Sequence, residues 1–514
     1  MGCGATKPSV TGPATRTTES RAQPPAAVNK PARDAPNPLA LAPPSDALWD
    51  RGVHAALLRG LAECVYIKYT PGKAAPRKAP AWKVHVDKVN LWAGDGEVPE
   101  VKQAGSGWAR LGSLTTSEVM AHFVKPLTAP HKCCLAQAFS RTPFGAEFIS
   151  SLRKAQTGVG WLAEHSDALM GGVFRPAQYF VSHAWAGPFD DLAQRVYQDS
   201  RQRGGSAYYW VDVFAVSQHY TGAFGTSPDS KFESVIQQAQ GVLCSMHPDS
   251  DPTAPKRAWC LLELASASMA SKPIQLMLAA GEQQQRSEPG EVLPVPDIDV
   301  ANASAGLESD RVAILGLVQQ AYGTYGAAND RLQGLFTAAA RSTALLRCIS
   351  ALRVFGERDV YGKHDGSTAD EYVEAWAAQC DEEGDPLEAT AHMVLQRSNA
   401  GDSARMMAYK ADQTDEANAG IRDQALKLIE QGARVEMEEV ASTWLTAGQT
   451  RLGLEVLAAA IRAPGNRVKR VAFENFVAEE RGAMISLRSA SSMSREYLLH
   501  LLRQEPPVQG LVVE

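Results

Sequence analysis

Between Gln178 and Leu278 the chain alternates short apolar runs with amphipathic stretches. "QYFVS" (Gln178 to Ser182), "AYYWVDVF" (Ala207 to Phe214), "GVLCSM" (Gly241 to Met246) and "PIQLML" (Pro273 to Leu278) are apolar, β-branched or aromatic runs closed by polar residues. Such runs predict strands buried on both faces. "FDDLAQRVYQDSRQ", "KFESVIQQAQ" and "KRAWCLLELASAS" between them carry helical periodicity. Strands alternating with helices over about 100 residues predict a parallel, doubly wound sheet. Ligands on such sheets bind beyond the carboxyl ends of the strands, here after Ser182, Phe214 and Met246.

The flanks read differently. "PPSDALWDRGVHAALLRGLAECV" predicts a helix capped by Ser45 or Asp46. "LTTSEVMAHFVKPL" predicts another, capped by Thr115 or Thr116 with Glu118 completing the cap, and ending near Pro126. Residues 134 to 170 look mainly helical. Beyond a polar loop near 281 to 305, glycine-punctuated amphipathic segments predict helices almost to the end, including "NRVKRVAFENFVAEE". The expected organisation is a tether over 1–44, a mainly helical flank over 45–172, the α/β unit over 173–282, a helical extension over 283–354 and a C-terminal helical domain over 355–514.

Within "KRAWCLLELASAS", successive residues turn about 100°. Leu261, Leu264, Ala265 and Ser268 fall on one face, widened by Leu262 and Met269, with Cys260 towards the other edge. Trp259, Glu263, Ser266 and Ala270 fall opposite. Glu263 therefore shares a face with Trp259, and a tryptophan there calls for cover by a partner, a ligand or a loop.

Composition narrows the classes. A 45% hydrophobic and 21% charged content is that of a globular protein, and a net charge of -6 disfavours a nucleic-acid binder. The eight cysteines form no CxxC pair, so neither a disulfide framework nor a zinc site is expected. Asp381, Glu382, Glu383 and Asp385 form an acidic run that reads as a solvated loop. Walker loops, HExxH helices, G-x-S-x-G elbows and dinucleotide fingerprints are not evident, and no metal site is expected.

The start, "MGCGAT", fits N-myristoylation at Gly2, with Cys3 beside it as a palmitoylation site. Two chains anchor stably where one does so only marginally. Residues 1 to 40 carry five basic and two acidic side chains, a balance of +3, which favours an anionic leaflet. Residues 7 to 44, rich in Pro, Ala, Thr and Ser, predict a flexible tether. The expected location is the cytoplasmic face of a plasma or ciliary membrane.

"YFVSHAW", "YWVDVF", "GVLCSM" and "RAWCLLELA" follow the motif order of Toll/interleukin-receptor (TIR) domains, which this region resembles from roughly Gln178 to Ala280, about a fifth of the chain. Trp259, Cys260, Glu263 and Leu264 match the plant-type W-C-x-x-E-L motif. The SHAW opening, with "LTTSEV" and "FVKP" upstream, is similar to a TIR-like group of protist proteins. The resemblance implies a flavodoxin-like parallel sheet, with the helical flank before it and an all-α region after it. It also implies one of two functions. The first is a signalling scaffold that binds protein partners and self-associates into homo-oligomers. The second is cleavage of the nicotinamide-ribose bond of NAD, as a substrate rather than a cofactor. Glu263 would then be the essential carboxylate, with Ser182, His183, Trp185, Asp212 and Trp259 around the substrate. A carboxylate suits that reaction because loss of nicotinamide leaves an oxocarbenium-like ribose. The residues alone leave other roles open: a structural carboxylate at 263, a hydrogen-bonded Asp212, a strand-end His183 and a packing Cys260. The SHAW opening also replaces the usual S-F-R or S-Y-x-x-x-D, and "FAVSQHYTGAFGTSPDS" stands where a different loop is usual.

Overall fold

The computed structural model describes residues 47–76, 78, 81–86, 107–155, 172–203, 205–220, 229, 231–246, 254–277, 290–352, 419–436, 439–440, 451–471, 498, 501–502 and 511–513. Apolar runs between 178 and 278 become the strands of one sheet. In chain order, the strands are β1 (Gly52–His54), β2 (Val65–Lys68), β3 (Trp82–Val84), β4 (Trp108–Arg110), β5 (Phe174–Arg175), β6 (Tyr179–Ser182), β7 (Tyr208–Trp210), β8 (Gly241–Ser245) and β9 (Ile274–Met277). The six-stranded sheet has the order β5-β1-β7-β6-β8-β9. β7, β6, β8 and β9 run parallel, whereas β1 pairs antiparallel with both β7 and β5. Every residue of β6 to β9 is buried, as expected of strands covered on both faces. The molecule is a mixed α/β fold built on a mostly parallel sheet.

β1 comes from a stretch read as helical flank, and β5 from the start of the α/β unit, ahead of the first strand expected there. The expected helix at Ser45 or Asp46 does not start there: Leu48–Asp50 is a single 3-10 turn, β1 follows, and the helix is Ala55–Cys64. His54 caps it, with Nδ1 accepting from the Ala56 amide at 3.2 Å. Gly52 permits the close pairing of β1, since a Cβ there would stand 2.6 Å from the Arg175 carbonyl oxygen. The flank also carries a three-stranded antiparallel sheet, β3-β2-β4, built from aromatic and β-branched runs too short to show alternation.

Two cores sandwich the large sheet. On one face, Leu57, Leu58, Phe123, Phe139, Phe144 and Phe148 from the flank share a core with Val181, Tyr209 and Val196. Flank and sheet thus bury one another. On the other face, Phe180 and Trp210 stack at 4.6 Å beneath the Phe232–Gln238, Ala258–Met269 and Glu308–Tyr322 helices. Full burial of each large side chain contributes on the order of 1.5–3 kcal/mol.

The Tyr325–Ala351 helix connects two cores. Leu332 and Phe336 pack towards the sheet, whereas Leu345, Cys348 and Ile349 pack with the Arg451–Arg462 helix and residues 425–435. The C-terminal region departs from the all-α expectation: β10 (Glu439–Val440), β11 (Arg470–Val471) and β12 (Val512–Val513) form a parallel three-stranded sheet. β11 falls inside "NRVKRVAFENFVAEE", expected to be helical. The acidic run at 381–385 and the predicted tether lie outside the described residues.

Candidate functional site

Ser182 closes β6 and is fully buried. Its Oγ donates to Glu263 Oε2 at 2.6 Å, tying the strand end to the Ala258–Met269 helix. Glu263 is only partly exposed. Burial pushes its carboxyl up from the ordinary 4.5 to about 8; the Ser182 hydrogen bond opposes this, and the Asp212 charge adds to it. At neutral pH the carboxyl is mostly protonated.

On the face opposite the apolar stripe, Trp259, Glu263 and Ala270 are partly exposed and Ser266 is buried. Ser266 is buried opposite Leu261 and Leu264, because the sheet covers one side of the helix and the Glu308–Tyr322 helix packs against it. Met269, expected on the apolar face, is 59% exposed at the helix end. Trp259 obtains its cover from Phe232, edge to face at 6.1 Å. The structure places Trp259 against that ring.

Asp212 is not within the second strand: β7 stops at Trp210, and Asp212 opens a short helix, Asp212–Ala215. Its Oδ1 accepts from the Val213 amide at 2.6 Å, and its Oδ2 from Trp185 Nε1 at 2.7 Å. His183 is buried, with Nε2 3.7 Å from Asp212 Oδ1 and without a hydrogen-bond partner among the described residues. Burial pushes the imidazole pKa down, against the pull of Asp212, so the ring is neutral. Cys260 lies behind this group, with its thiol donating to the His183 carbonyl at 3.4 Å and burial pushing its pKa well up. It is a packed thiol, not a nucleophile. Ser182, His183, Trp185, Asp212 and Glu263 are thereby joined around the carboxyl ends of β6 and β7.

The loop after β6 is held from the flank. The Thr116 amide donates to the Gly187 carbonyl at 3.0 Å, Ser117 to that of Trp185 at 2.9 Å and Phe189 to that of Leu114 at 2.8 Å. A small cleft of about 20 Å³ opens beside it, lined by Thr116, His183, Gly187, Asp191, Arg195 and Ser245 among others. Arg195 Nη1 donates to Ser245 Oγ at 3.1 Å. His183 is the one predicted site residue in this wall; Ser182, Trp185, Asp212, Trp259 and Glu263 are not among its lining residues. Arg195, Ser245 and Thr116 were not singled out by sequence. Ser245 carried a usable signal, because it ends the third parallel strand as Ser182 ends the first. Arg195 carried none, being one of several charges on an amphipathic helix.

Among the described residues, no group of three or more His, Cys, Asp or Glu is arranged to hold a metal ion. Gly2 and Cys3 lie outside the described residues. Comparison with known proteins finds no matching family model, no matching curated protein and no matching solved structure.

Proposed function

We propose that the protein is a membrane-tethered, TIR-like signalling scaffold that works through self-association. The parallel strands, numbered among themselves, follow the order 2-1-3-4, which agrees with a flavodoxin-like arrangement. The observation that carries the scaffold reading is the distribution of exposed apolar side chains. Of the five large exposed hydrophobic side chains among the described residues, four (Met269, Leu307, Val312 and Leu317) lie on the Ala258–Met269 and Glu308–Tyr322 helices or at their ends, and the fifth, Tyr220, lies elsewhere. These helices pack on one another. Their outer surface offers apolar area to a second copy. Glu263 meanwhile is occupied with Ser182 and stands outside the cleft wall.

The full chain should show a mass that rises with concentration in analytical ultracentrifugation. Val312→Asp with Leu317→Asp should return it to a monomer. A wild-type chain that stays monomeric at high micromolar concentration would remove the reading.

The Ser182–Glu263 pair favours a second reading, NAD cleavage. A desolvated carboxyl at a strand end, with Asp212 and His183 nearby, is placed to stabilise positive charge on ribose once ionised. Purified protein incubated with NAD would then release nicotinamide, faster as pH rises through about 8. Glu263→Gln would abolish that release. Release retained by the variant would eliminate the role of Glu263.

A further inference from the structure

The parallel strands lie in the order β7-β6-β8-β9. The helix after β6, Phe189–Gln202, packs on one face of the sheet, and the helix after β8, Ala258–Met269, on the other. The chain therefore leaves the ends of these neighbouring strands in opposite directions, and open parallel sheets bind ligands in the crevice formed at such a point. Here the crevice is covered. His183, after β6, and Ser245, ending β8, share their small cleft with Thr116 of the flank, and its 20 Å³ is room for little more than a water molecule. We propose that residues 110–117 are a strap that closes this crevice and opens locally, while the sheet stays folded, to admit small polar solutes to His183 and the strand ends.

The strap is fastened mainly by polar contacts. The amides of Thr116, Ser117 and Phe189 bond across the seam, and Thr115 forms an antiparallel bridge with Pro188. Arg110 Nη2 donates to Asp190 Oδ2 at 2.8 Å, and both side chains are partly exposed. Gly112 lets the strap pass close to the Phe189–Gln202 helix, since a Cβ there would stand 2.8 Å from Asp190 Oδ1. Between Arg110 and Val119 the only large apolar side chains are Leu111 and Leu114. Segments with so little apolar burial are the ones that open locally. Both ends are anchored: β4 pairs with β2 on one side, and the buried Phe123 and Val124 hold the other. The π turn over Met120–Val124 lies just beyond the strap, and such turns are frequent at functional sites.

The polar groups at the seam favour opening. Thr116 Oγ1, His183 Nε2 and Asp190 Oδ1 are buried without a hydrogen-bond partner among the described residues. At an interface that stays shut, buried polar atoms are paired. Three unpaired ones along one seam fit an interface that parts and lets them meet water or a solute. The strap depends neither on self-association nor on the role of Glu263.

Native-state hydrogen exchange on the full chain provides the test. The Thr116, Ser117 and Phe189 amides should exchange about tenfold or more faster than the Val242 amide of β8, and their exchange should respond less to low urea. A second measurement treats the chain with diethyl pyrocarbonate, which acylates neutral imidazole, and maps the modified histidines by mass. His183 is neutral and should react through the open strap. His54, buried with Nε2 on the Gly205 carbonyl at 2.7 Å, is the internal control. Leu114→Ala removes an apolar fastening and should raise the ratio of His183 to His54 modification severalfold, whereas general destabilisation would raise both together. Strap amides that exchange no faster than Val242, with the same urea dependence, would overturn the proposal. So would a His183 to His54 ratio unchanged by Leu114→Ala.

Discussion

Glu263 is a carboxyl that folding keeps protonated. In the unfolded chain it ionises near 4.5, whereas in the native structure burial holds it to about 8. Stabilisation by the neutral carboxyl is thus fully present below pH 4.5 and is lost as pH rises through about 8. Glu263→Gln keeps an acceptor for Ser182 but cannot ionise. Compared by urea denaturation, the variant should gain about 2 kcal/mol on the wild type between pH 6.5 and 9. His183 has its pKa pushed down and the buried thiols of Cys244 and Cys260 have theirs pushed up, both away from that interval. A gap that stays constant with pH would show that Glu263 is not held neutral. Periodicity separated Glu263 from Leu261 and Leu264 and paired it with Trp259. It could not show that Ser182, 81 residues earlier, would meet the carboxyl, because that contact depends on how a helix is laid across a strand end.

The Thr116–Thr128 stretch shows how an element far from the site in sequence shapes it. Thr115 Oγ1 accepts from the Glu118 amide at 3.2 Å, and Glu118 Oε2 accepts from the Thr115 amide at 2.9 Å, the reciprocal cap expected from "TTSE". The helix ends at Thr128, two residues past Pro126. It widens to a π turn over Met120–Val124 and continues through Lys125–Thr128, so the chain stays helical past a residue without an amide donor. Glu118 also accepts from the Tyr69 hydroxyl at 2.5 Å, which holds its carboxyl below the usual range and pushes the phenol up to about 12. The amides of Thr116 and Ser117 then hold the loop that carries Trp185 and Gly187. Thr115→Ala should cost about 1 kcal/mol of stability. It should also speed hydrogen exchange at the Ser117 amide and shift Trp185 fluorescence; unchanged exchange would mean that the cap does not brace this loop. At this scale the long patterns were legible, and "FDDLAQRVYQDSRQ" is helical from end to end. The misses were β1, β5, β10, β11, β12 and the strands of the small flank sheet, runs of two to four residues whose pairing comes from distant partners.

The Tyr325–Ala351 helix carries burial from the sheet core to the C-terminal core. Among the described residues, no helix is long and apolar enough to cross a membrane. The proposed membrane attachment therefore rests on Gly2 and Cys3 with the basic balance behind them. One acyl chain binds only marginally and two hold stably, and the two sites make distinguishable predictions. Gly2→Ala removes the myristoyl acceptor and should move the protein from the membrane pellet to the supernatant when expressed in a eukaryotic cell. Cys3→Ser should leave a weaker, reversible attachment that declines as salt screens Lys7, Arg16, Arg21, Lys30 and Arg33. Membrane retention unchanged by Gly2→Ala would eliminate the acyl anchor. If the anchor holds, confinement to a surface raises the effective concentration of the chain, and weak contacts through Val312 and Leu317 would suffice for assembly there. Self-association should then be stronger on vesicles for the acylated wild type than for Gly2→Ala at equal bulk concentration.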